Sequence, residues 1–146
     1  LNLITTKWQL YFSVDDELLP HACESVVNSK CDAVSLMFDV INIDGTVETN
    51  CKSPVINDQY TLQRWKQFRW GGYTAFQDKH IRYNEAVEIP NILLHVELFK
   101  KRLKTELSNS VCAICHRWAQ SHGIRNPNGS SHTLTFIDNE VKDICR

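Results

Sequence analysis

Apolar and polar residues alternate along the first part of the chain, then recur at helical spacing towards its end. In the segment Lys7 to Val14, the residues Trp8, Leu10, Phe12 and Val14 share one face, the period-two signature of a half-buried strand. Asp15-Asp16-Glu17 ends that run, and Pro20 opposes a continuous helix beyond it. Residues 21–31, which carry Cys23 and Cys31, read as a short helix or a knotted loop. Alternation resumes at Val34, Leu36, Phe38 and Val40. Asp44-Gly45 then sits between two β-forming stretches, which predicts a hairpin closed by a type I′ turn with positive φ at both central positions. The return strand leads into Cys51. Leu62, Trp65 and Phe68 fit helical spacing up to Gly71-Gly72, and Ile81, Tyr83, Val87 and Ile89 predict a further strand before Pro90.

From Asn91 the period changes. Ile92, Val96, Phe99, Leu103 and Leu107 mark one face of an amphipathic helix, with Lys100, Lys101, Arg102 and Lys104 mainly opposite. Ser108-Asn109-Ser110 reads as a break or as the cap of a second helix, running through Cys112, Cys115, Trp118, Ala119 and His122 to Gly123. A loop over 125–131 and a short strand over 132–137 complete the pattern. The expected fold is α+β: one domain over residues 1–146, a small antiparallel sheet with its hairpin at Asp44-Gly45, packed against a C-terminal helical hairpin and stapled by disulfides.

Composition narrows the class. Of 146 residues 42% are hydrophobic and 23% charged, which is globular rather than disordered. No apolar run approaches eighteen residues, so no membrane span is expected. The six cysteines, Cys23, Cys31, Cys51, Cys112, Cys115 and Cys145, are even in number and spread along the chain, which suggests three disulfides and an oxidising compartment. A start at Leu1 without methionine points to a processed chain, and Asn128-Gly129-Ser130 is an N-glycosylation acceptor. Secretion is therefore the expected localisation. Acidic residues dominate positions 1–60 and basic ones positions 61–146, which suits two halves docking on each other better than nucleic-acid binding.

Three constellations carry candidate chemistry. Cys112-Ala113-Ile114-Cys115-His116 reads as a pair of disulfide anchors on one helical turn, with a redox dithiol, half a zinc site and a covalent haem anchor as alternatives. The disulfide reading needs no special chemistry, so no metal or cofactor is assigned. His95 and His132 form a weaker pair that would serve as general base and acid in a small phosphodiesterase or nuclease. Arg64, Trp65, Arg69, Trp70 and Tyr73 combine aromatics and cations, the residue types that dominate protein interfaces. With Trp70 and Tyr73 flanking two glycines, these two are expected at the surface. The sequence thus points to a secreted, disulfide-stapled protein that binds another protein rather than catalysing a reaction.

Overall fold

The computed structural model describes residues 6–53, 55, 73–77 and 100–117. These form a curled mixed sheet, shaped as half a barrel, with one short helix. The strands are β1 (Gln9–Leu10), β2 (Glu17–Leu18), β3 (Ala33–Ile41), β4 (Val47–Lys52), β5 (Thr74–Phe76) and β6 (Thr105–His116), and the helix is α1 (Ala22–Val27). β3 is the centre. It pairs parallel to β6 along one edge; along the other it pairs antiparallel to β5 through Ala33–Ser35 and to β4 through Met37–Ile41. β1 extends the sheet beyond β5, and β2 extends it beyond β6.

β3 takes this place because both of its faces can be buried. Val34, Leu36, Phe38 and Val40 are all at most 6% exposed, and Ala33 and Ser35 are fully buried as well. A strand apolar enough to be covered on both sides suits the interior of a sheet with parallel pairing. The core gathers around it from β5 (Tyr73 just before it, and Ala75), from α1 (Ala22 and Val26) and from β6 (Cys112 and Ala113). Phe76 and Tyr11 stack beside it with centroids 5.9 Å apart.

The hairpin is present at β3–β4, with a different turn from the one expected. Gly45 N–H donates to the Asn42 carbonyl at 2.9 Å and Asn42 N–H to the Thr46 carbonyl at 2.8 Å. Gly45 has φ +82°, whereas Asp44 does not have positive φ. This is the three-residue loop in which a type I turn is followed by a left-handed glycine. Asp44 contributes through its carboxylate, which accepts from the Thr46 N–H at 2.9 Å and from its hydroxyl at 2.6 Å.

The expected C-terminal helical hairpin is absent. Residues 105–116, assigned to the end of one helix and the start of another, are the long strand β6. Two bulges break the alternation that would mark it as a strand. Ser108, Asn109 and Ser110 all lie opposite Leu36 alone, between the pairs Ser35–Leu107 and Met37–Val111. Cys112 is then an extra residue between Met37–Val111 and Phe38–Ala113. Extra residues in a strand displace its buried positions from period two. The buried residues Thr105, Ser108 and Cys112 consequently fall three and four apart, the spacing of a helix. Ser108 is the internal brace: its hydroxyl accepts from Met37 N–H and donates to the Ser110 carbonyl, both at 2.8 Å.

The disulfide staples are a second correction. Cys23, Cys31, Cys51, Cys112 and Cys115 are all free thiols, and Cys145 lies outside the described residues. Crosslinking from one helical turn required a helix that does not form. In extended chain, at about 3.3 Å per residue, Cys112 and Cys115 stand too far apart to bridge each other, since bonded cysteines need Cα atoms within about 7 Å. The sheet is held by hydrogen bonds and apolar packing instead. Among the described residues no helix is long and apolar enough to cross a membrane.

Candidate functional site

Among the described residues, two places concentrate polar side chains. The first is a half-buried tie at the end of the sheet. Asp16, in the turn before β2, accepts from the Tyr73 hydroxyl through Oδ2 and from the His116 backbone N–H at 2.9 Å through Oδ1. One carboxylate thereby joins residues far apart in sequence. Tyr73 is 7% exposed and wedged between aromatic rings, its centroid 4.9 Å from Phe12 and 5.2 Å from Phe38, the latter edge-on. Burial, reinforced by the bond to Asp16, pushes the Tyr73 phenol well above its ordinary range. Burial likewise pushes the Cys115 thiol up to about 11, with nearby Asp16 adding to the rise and a hydrogen bond from Tyr73 opposing it.

At neutral pH the Tyr73 phenol and the Cys115 thiol keep their protons. A cysteine attacks as thiolate, so Cys115 is placed as an inert thiol rather than a nucleophile. Around it, the His116 ring Nε2 meets Glu17 Oε1 at 2.9 Å, while Arg117 donates through one guanidinium nitrogen to Asn42 Oδ1 at 2.8 Å and Glu48 Oε1 at 3.0 Å. These contacts fasten β6 to β2 on one side and to the hairpin on the other.

The pentapeptide 112–116 therefore has a different meaning from the one its spacing suggests. Cys112 is fully buried with its thiol 3.4 Å from the Ser110 carbonyl, whereas Cys115 sits with Tyr73 and Asp16. The thiols have separate surroundings, on a strand rather than on the helix that the redox and haem readings supposed. Among the described residues, no group of three or more His, Cys, Asp or Glu is placed to hold a metal ion.

The second place is a solvent-open groove of about 410 Å³ between α1 and the first bulge of β6. α1 docks through Ala22 and Val26, one turn apart and both buried, which leaves its polar side turned to the groove. His21, just before the helix, donates from Nε2 to the Val111 carbonyl at 2.7 Å and so ties the helix start to β6. His21, Glu24, Ser25, Asn28 and Ser29 line one wall; Glu106, Leu107, Ser108 and Asn109 line the other, with Val34 of β3 between. The bulge shapes this wall, since it pushes Ser108-Asn109-Ser110 out of register with β3.

Of the interface residues expected from sequence, only Tyr73 lies among the described residues, and it is buried in the sheet instead of at the surface. Arg64, Trp65, Arg69 and Trp70 lie outside them, as do His95, His132 and Asn128. Sequence reasoning missed Asp16, read there only as a strand terminator. It also missed His21, Glu24, Glu106 and Asn109. The partners of Asp16 are 57 and 100 residues away, and no local pattern signals such a contact. No family model, no curated protein and no solved structure matches the chain.

Proposed function

We propose that the protein acts by binding another protein rather than by catalysis, and that the groove between α1 and β6 is a seat for that partner. The observation that carries the reading is the groove itself. Its volume of about 410 Å³ falls within the range of roughly 300–1,000 Å³ usual for ligand sites. It is open to solvent, as a seat for a side chain of a larger partner must be. Two reactive side chains among the described residues support the same reading: Tyr73 and Cys115 keep their protons and are engaged with Asp16 inside the fold. Secretion loses its main argument, because five of the six cysteines are thiols and an oxidising compartment would tend to pair them.

The test is selection from a displayed random-peptide library on the purified full chain, run in parallel on Asn109→Trp, which fills the groove from the exposed bulge. Peptides enriched by the parent and lost with Asn109→Trp support the reading. Identical selection by both proteins overturns it, and loss with Trp70→Ala plus Arg69→Ala would move the seat to segment 64–73.

A further inference from the structure

The turn that leads into β6 holds the chain's one run of adjacent cations. Of its 16 Lys and Arg residues, only those of Lys100-Lys101-Arg102 are neighbours in sequence. All three are exposed, and the turn at Lys101-Arg102 stands just ahead of Thr105, where β6 begins. Arg102 has φ +53°, in the left-handed region that bulky residues seldom adopt. We propose that the Arg102–Leu103 peptide bond is a processing site for an endoprotease specific for paired basic residues. The cut chain stays one folded body, with the new ammonium of Leu103 set beside Asp32. This proposal goes beyond the binding seat between α1 and β6 and does not depend on it.

A protease of this class reads cations through carboxylates in its cleft and draws the substrate backbone into an extended shape. Exposed turns yield to this most readily. Arg102 gives up a disfavoured conformation in the process, so reshaping the turn relieves strain there. Water then breaks the C–N bond: its hydroxyl joins the Arg102 carbonyl carbon and its hydrogen the Leu103 nitrogen. At neutral pH the acid passes its proton to the amine, leaving a carboxylate and an ammonium. The next residue is pinned to the sheet. Lys104 N–H donates to Asp32 Oδ2 at 2.9 Å, and the Lys104 carbonyl accepts from the Asp32 and Ala33 N–H groups, both at 3.0 Å. The new ammonium therefore arises one residue from a donor that already reaches the Asp32 carboxylate. Asp32 and Lys104 are exposed at the sheet margin, so these bonds open locally for the protease and close again afterwards. Beyond them β6 is held by β3 from Thr105 to His116 and by β2 at Ala113 and Ile114, which keeps the two pieces together.

The test is limited proteolysis of the folded full chain, once with a paired-basic endoprotease and once with sparing trypsin, which accepts any Lys or Arg. Intact mass and N-terminal sequencing identify the products. Both enzymes should first release a new terminus at Leu103, and the two pieces should co-elute on gel filtration. Arg102→Asn suits the left-handed turn and removes the cation, so it should abolish this cut without lowering the urea midpoint. In the cut chain, Asp32→Asn should speed acylation of the Leu103 amine by about 2- to 5-fold, as loss of an exposed ion pair implies. The site is overturned if trypsin cuts first elsewhere, if the paired-basic enzyme cuts only the urea-unfolded chain, or if Arg102→Asn is still cut after residue 102. Separation of the pieces overturns the single folded body, and equal acylation rates overturn the role of Asp32.

Discussion

Replacing Asp16 by alanine should loosen the sheet at both of its distant joints. The substitution removes the acceptor of the Tyr73 hydroxyl and of the His116 N–H together. A hydrogen bond to a charged group contributes about 1.5–3 kcal/mol net, and a buried donor left without an acceptor costs about 1–3 kcal/mol. Tyr73 is buried and bears the full penalty, whereas Asp16 is half-buried and the His116 N–H, near the end of β6, can turn to water. Together these give a loss of about 2–4 kcal/mol. With a urea dependence of about 1.5 kcal/mol per molar, the unfolding midpoint would fall by roughly 1.3–2.7 M. Tyr73→Phe should cost less, about 1–2 kcal/mol, because the freed carboxylate can be hydrated. In a double-mutant cycle the two changes should couple by about 1–2 kcal/mol, as expected of groups in direct contact. Urea titration followed by tryptophan fluorescence measures all four proteins. A loss below about 0.5 kcal/mol for Asp16→Ala, or additive single changes, would refute the role of Asp16 as the tie.

Three further outcomes follow from the same structure. In thiol labelling without reductant, exposed Cys23 should react first and buried Cys112 only on unfolding, with peptide mapping as the readout; a described cysteine that labels only after reduction would contradict the free-thiol assignment. Stability should hold up to about pH 9 and fall towards pH 11, because the unfolded chain releases the Cys115 proton before the folded chain does. Cys31 and Cys51 shift in the same direction, so Cys115→Ser should reduce the slope of that decline without abolishing it, and an unchanged slope would remove Cys115 from the explanation. Gly45→Ala should cost about 1 kcal/mol from left-handed strain alone, since its φ is +82° and an added Cβ meets nothing within 4 Å; Gly45→Asn should cost less, and thermal denaturation compares the two.

What the sequence made legible was local. The Asp44-Gly45 turn could be read because its hydrogen bonds close within five residues, and β3 because Leu36, Phe38 and Val40 keep strict alternation. β1 was placed correctly but drawn too long, since only Gln9–Leu10 pairs and Val14 stands fully exposed. β6 was misread for two physical reasons. Its bulges break the period-two alternation of a strand, and its pairing with β3 runs parallel across more than seventy residues of chain, where no turn announces it. The groove was invisible for the same reason, because its two walls come together only once β6 has taken its place beside α1. The cysteines misled through their even number, which speaks of pairing without regard to whether the fold brings sulfurs together.

The most direct measurement is a titration of a peptide selected on the full chain into the ¹⁵N-labelled protein, followed by amide chemical shifts. Shifts centred on His21, Glu24, Asn28, Glu106 and Asn109 are expected, with the β3–β4 hairpin unmoved. Shifts confined to the hairpin or to segment 64–73, or none at saturating peptide, would contradict a binding seat between α1 and β6.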